Sequence, residues 1–268
     1  MKTTRIAVAV LSFTAAGIAA HTPEGASAHP VYGHTTSQSR QVAAGRLDAA
    51  ASHAARNLHF SGVVLVLQAG TVVLRKVYGP SDRTNSINTA FALPGVTDLL
   101  TAAAIEQLAE HGKVDLGVRS TVRARHDAST ERAAITLIER VSGESYATYM
   151  ERNMFRPLGM NHTSVRQSST GLPEVYATVD DLNRWDQSVL DCGLISPESL
   201  FKTVSNDSEV FQASGTDKGA AAGERLFLNS RTAIIVLTHS GKTVDHMLNA
   251  LQHIAVPDKH TAIGTTVL

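Results

Sequence analysis

One cysteine, Cys192, stands in 268 residues, which excludes an internal disulfide and a cysteine-based zinc site. Its place in the turn Asp191-Cys192-Gly193-Leu194 fits a small, partly buried side chain better than a catalytic thiol. Net charge is missing too. Twenty-four Lys and Arg balance 24 Asp and Glu, so the chain offers no basic footprint to nucleic acid or to an anionic membrane surface. No internal repeat and no low-complexity linker divide the sequence. Beyond Ala20, no apolar run approaches the length of a bilayer span.

What is present is an ordinary globular composition, 43% apolar and 18% charged, long enough for one sizeable core or for a core with a smaller lobe. The N-terminus differs from the rest. Lys2 and Arg5 precede the apolar run Ile6–Ala20, and a polar stretch ends in Ala26-Ser27-Ala28. That is the layout of a secretory signal peptide. Cleavage is expected after Ala28, giving a secreted or extracytoplasmic protein, with an uncleaved anchor as the alternative. The expected organisation is a signal peptide over residues 1–28, a mobile mature N-terminus over 29–40, and one domain over 41–268 whose helical lobe spans about 118–205.

Helical spacing of apolar residues predicts a helix over Val42–Leu58. Two β-branched runs around Gln68-Ala69-Gly70 predict a hairpin. Leu99, Leu100, Ala103, Leu108 and Ala109 recur at helical spacing, and Gly112 is placed to end that helix. Further helices are expected over Glu131–Val141, over Ser145–Phe155 up to Arg156-Pro157, and over Thr243–Ala255. A second hairpin turns at Asn229-Ser230-Arg231. Strands at both ends with helices between predict an α+β fold, with an antiparallel sheet built from the N- and C-terminal segments and flanked by helices.

Four stretches carry a family resemblance: FSGVVLVLQAG, TAAAIEQLAEHGKVDL, LIERVSGESYATYMERNMFRPLGMNHTS and VYATVDDLNRWDQSVLDCGLISPESL. The run Arg156-Pro157-Leu158-Gly159-Met160, and Asp180-Asp181-Leu182 followed by Arg184-Trp185, are its most specific parts. In this order they resemble the serine beta-lactamases and penicillin-binding-protein-like hydrolases, on the class C and D-alanyl-D-alanine carboxypeptidase side. The resemblance implies a beta-lactamase/transpeptidase-like fold and Ser-x-x-Lys at the start of the helix after the first hairpin. Positions i and i+3 share a helix face, so the lysine amine can take the proton of the attacking serine.

Both of those residues are absent. Aligned through Phe91 and Thr101, the serine position is Gly95 and the lysine position Asp98. The resemblance also implies Tyr-x-Asn, which falls on His126 and Ala128, and a Lys or His before Ser/Thr-Gly on the strand lining the site. There Ser214-Gly215 remains, preceded by Ala213. The segment after Val118 is shorter than the resemblance implies, so part of the lobe and a wall of the cleft are expected to be missing.

Other placements of the chemistry are weaker. Ser199-Leu200-Phe201-Lys202 matches Ser-x-x-Lys formally but lies in an ordinary helix start. Thr97 is expected to cap its helix, with Asp98 favouring the positive helix end. Lys242-Thr243 reads as another helix start. His239, His246, His253 and His260 recur at seven-residue intervals. On one helix such residues stand about 10 Å apart, too far to share a metal, and His246 and His253 fall on the polar side of the last helix. No cofactor and no metal is indicated.

Three functional readings remain. The first is an exported, degenerate member that binds a small-molecule or peptidoglycan-type ligand without Ser-x-x-Lys hydrolysis. The second is an active enzyme, either a hydrolase (esterase, beta-lactamase or DD-peptidase type) with a relocated nucleophile or a non-covalent acid/base enzyme using Asp98 and His126, with Asp127 as an additional acid. The third is a decayed chain that does not fold stably.

Overall fold

The computed structural model describes residues 37–80, 85–114, 128–195, 210–217, 219–239 and 243–256. The signal-peptide segment, His126, Asp127, Ser199, Lys202 and Lys242 lie outside them.

Helix α1, Ser37–Leu58, leads into strands β1, Gly62–Gln68, and β2, Thr71–Tyr78. The helix starts within the stretch expected to be mobile, because its first residues are solvent-exposed and leave no apolar period to read. The expected hairpin turn holds: Ala69 and Gly70 have φ of 47° and 74°, the backbone that a two-residue turn matched to strand twist requires.

From the C-terminal part come β6, Val210–Asp217, β7, Ala220–Phe227, and β8, Thr232–Thr238. These strands and the first hairpin make one antiparallel sheet in the order β2-β1-β8-β7-β6. The central strands β1 and β8 are apolar on both sides because both faces are covered. Val64, Val66, Ile234 and Val236 pack with α1 and the last helix α6, Val244–Ala255. Val63, Leu65, Leu67, Ala233, Ile235 and Leu237 face the other helices.

On that second face lie α2, Val96–Glu110, α3, Ala128–Ser142, and α5, Val179–Leu190. Between α3 and α5 a short helix α4, Tyr146–Tyr149, is capped by Ser145 and continues as a π-helix over Met150–Phe155. The wider winding ends where Pro157 and Gly159, at φ 67°, stop it.

A second sheet escaped the sequence reading. Its strands are β3, Phe91–Ala92, β4, Ser164–Gln167, and β5, Pro173–Ala177, in the order β3-β5-β4. Two residues are too few for a visible period, and β5 opens on a proline. The expected helical lobe therefore contains strands. Cys192 also differs from expectation: it is exposed, at φ 54°, because the chain reverses out of α5 there. His246 and His253 are exposed, as expected.

Candidate active site

The start of α2 is tied to the small sheet before any chemistry is considered. The Leu93 N–H donates to Val175 O, and the Thr97 N–H donates to Leu93 O. Thr97 does not cap the helix. The N-cap is Gly95, with no side-chain cap bond, and the Thr97 hydroxyl lies inside the first turn. It donates to Leu93 O at 3.0 Å and accepts the Val175 N–H at 3.0 Å. Being 5% exposed, Thr97 supplies a partner that no water can replace. Thr97→Val is expected to lower stability by about 1–3 kcal/mol, read by urea unfolding, since the buried Val175 N–H loses its acceptor. An unchanged midpoint would count against that role.

Gly95 sits at φ 78° and ψ −42°. A Cβ there would stand 2.4 Å from Ser214 O, 2.6 Å from Ser214 C and 2.9 Å from Gly215 N. The closeness is reciprocal, since a Cβ on Gly215 would stand 2.6 Å from both C and O of Pro94. The residues expected at the nucleophile position and on the lining strand thus do meet. They meet backbone against backbone, and β6 fills the space that a serine side chain and an acyl carbonyl would need.

Beside this contact opens a cleft of about 210 Å³, lined by Pro94, Gly95, Thr97, Asp98, Glu131, Ser168, Thr170, Glu174, Thr216 and Asp217. Asp98 lines it from the first turn of α2, so the lysine position still faces the cleft with its charge reversed. The other acids come from three elements: Glu131 from α3, Glu174 from β5 and Asp217 from the end of β6. Asp217 accepts the Ser169 hydroxyl at 2.9–3.0 Å. Glu131 is pushed up to about 7, first by burial and then by the charges of Asp98 and Glu174, against which Arg132 acts. Burial, then Asp217, raises Glu174 as well. Behind the cleft, Tyr146 shares a 2.7 Å hydrogen bond with Thr101, and burial holds its phenol far above the ordinary range.

Of the sequence candidates, Gly95, Asp98 and Gly215 come together, with Ser214 supplying backbone. Ala128 begins α3. Glu131, Glu174 and Asp217 were missed, since single acids on three distant segments leave no spacing to notice. Among the described residues, no group of three His, Cys, Asp or Glu is placed to hold a metal ion.

The Beta-lactamase family matches residues 126–246. That match covers the middle and later part of the chain, where it is similar to the beta-lactamases. Solved structures extend that likeness to the fold. A penicillin-binding protein from Bacillus halodurans aligns with a TM-score of 0.64 at 13% identity, covering 76% of this chain and 98% of that one. A beta-lactamase/D-alanine carboxypeptidase from Yersinia pestis, complexed with citrate, gives 0.63 at 13% identity over 80% and 98%. An octameric penicillin-binding-protein homologue from Pyrococcus abyssi gives 0.63 at 15% identity over 79% and 76%. No curated protein matches the chain by sequence. Among the described residues, no helix is long and apolar enough to cross a membrane.

Proposed function

We propose that this chain is exported, does not form an acyl-enzyme, and uses its cleft to hold a small-molecule or peptidoglycan-type ligand. One observation carries the reading: the position of the missing nucleophile has no volume, with Ser214 O 2.4 Å from where the side chain would begin. Covalent acyl transfer needs a nucleophile, a base within reach and room for the carbonyl. Gly95 lacks the first and Asp98 is a poor substitute for the second. The packing of β6 on Pro94 and Gly95 opposes the third.

Intact mass after incubation with a penicillin and, separately, with a fluorophosphonate tests this. No adduct is expected on the folded protein. A single stable adduct, mapped to one residue, would overturn the reading and name a relocated nucleophile.

A second reading is non-covalent acid/base chemistry. It is favoured by the pairing of Asp98 with a Glu131 poised near neutrality in the same cleft. Its distinguishing result is turnover without an adduct, lost in Glu131→Gln.

A further inference from the structure

The cleft has changed more than its nucleophile. Glu174 is 6% exposed, and what remains open of its side chain faces the cleft. Among the described residues no hydrogen bond to its carboxylate is made, and the Ser169 hydroxyl donates to Asp217. Glu131 faces the same space without a hydrogen-bonded partner among the described residues. The described lining contributes no lysine, arginine or histidine. A glutamate side chain this enclosed, open only to the cleft and without a donor among the described residues, carries its charge at a cost, and the cost falls when a donor enters the cleft.

We propose that the cleft binds a small organic cation, a primary ammonium group held between Glu174 and Glu131, with Asp217 on the rim. This rests on the reading that the site does not acylate, and it names the class of ligand. Three features favour an ammonium over other occupants. The N–H···O⁻ bonds of an ammonium reach about 2.7–2.9 Å and tolerate spread acceptors, whereas a divalent ion demands convergent ligands at about 2.0–2.6 Å, a geometry absent among the described residues. An anion would meet only repulsion from these carboxylates. And 210 Å³ equals roughly seven waters, the room of an amine or amino-acid fragment and not of a bicyclic antibiotic.

The pH dependence follows from the groups around the site. Asp98 from α2, Glu131 from α3, Glu174 from β5 and Asp217 from β6 line the cleft, while Arg132 on α3 and the buried Tyr146 on α4 lie outside that lining and interact with Glu131 through space. An ammonium favours ionised Glu131, so binding tightens as pH rises through about 7 and releases a proton near that pH.

The test uses the full chain, titrated with propylamine and, in parallel, with propanol, propionate and calcium chloride at matched ionic strength. Binding is read from the unfolding midpoint and from NMR shifts. Propylamine alone is expected to raise the midpoint, more at pH 8 than at pH 6. Glu174→Gln should weaken binding at least tenfold, and Glu131→Gln should remove the pH dependence. Asp217→Asn, on the exposed rim, serves if the buried variant fails to fold and should weaken binding less. Equal stabilisation by propanol, propionate or calcium overturns the inference, as does propylamine binding unchanged in the variants. The two ideas fail separately: an acyl adduct sinks the non-acylating reading, whereas no adduct together with no amine binding sinks only this one.

Discussion

Introducing the serine that the beta-lactamase resemblance implies, as Gly95→Ser alone or with Asp98→Lys, yields no hydrolase and destabilises the fold by about 2–6 kcal/mol. Two costs combine. At φ 78° and ψ −42° any side chain is strained, at about 1–3 kcal/mol. The Cβ then collides with the backbone of Ser214 at 2.4 Å, and overpacking of this kind costs about 1–3 kcal/mol. Backbone cannot step aside as the end of a flexible side chain can. Ser214 and Gly215 are held in register opposite Gly223 and Ala222 of β7, so moving them strains the sheet edge. Urea unfolding reads the stability, and a chromogenic ester or beta-lactam reads the activity. A variant as stable as the wild type, or one that turns over either substrate, would show that the closure yields and that little more than two side chains separates this chain from a Ser-x-x-Lys hydrolase.

Stability of the wild type falls as pH rises above about 4, and Asp186→Asn flattens that fall. Asp186 on α5 and Glu224 on β7 are 0% and 1% exposed. Among the described residues none of their four carboxylate oxygens meets a hydrogen-bond donor, and the groups that act on them there are each other. Ala213 and Ile235 stand opposite Glu224 on the neighbouring strands, and Leu182, Trp185 and Val189 of α5 belong to the same buried apolar core as those two residues. Arg225 points to the opposite face and bonds Gln252 at 2.5 Å. No described cation reaches the pair, so a proton must. Burial, and for Asp186 also the charge of Glu224, raises both acids.

The direction of the effect follows by linkage. Unfolded Asp and Glu lose their protons near about 4, while the folded pair keeps at least one. Above that pH the native state binds more protons than the unfolded chain, and stability declines by about 1.4 kcal/mol per pH unit for each proton retained. The decline ends once the folded pair itself ionises. An Asn amide donates to Glu224 without titrating, so Asp186→Asn loses part of this slope and gains on the wild type at alkaline pH. Urea unfolding from pH 5 to 9 measures it, with Glu131→Gln as background because Glu131 adds a similar slope up to about 7. Identical slopes in the presence and absence of Asp186→Asn would mean that the pair does not hold the proton.

Much of the architecture was legible in one dimension. Apolar runs in β1 and β8, Gly112 ending α2, the hairpin at Ala69-Gly70 and the helical face of Val244, Met247, Leu248 and Leu251 each carry a local signal, because period and turn chemistry act within a few residues. Thr97 shows where such reasoning fails. A threonine near a helix start reads as a cap, yet its partner, the Val175 N–H, lies on β5, and no sequence window contains both.

The loss of Ser-x-x-Lys is a matter of residue type, so the sequence alone determined that Gly95 and Asp98 cannot perform that chemistry. Whether the gap stayed open was decided by the tertiary structure, through the packing of β6 onto Pro94 and Gly95. The acidic character of the cleft and the buried Asp186–Glu224 pair were likewise fixed only in three dimensions. Glu131, Glu174 and Asp217 are ordinary surface residues until the fold brings them within range of one another, because desolvation and Coulomb forces depend on distance through space and not on separation along the chain.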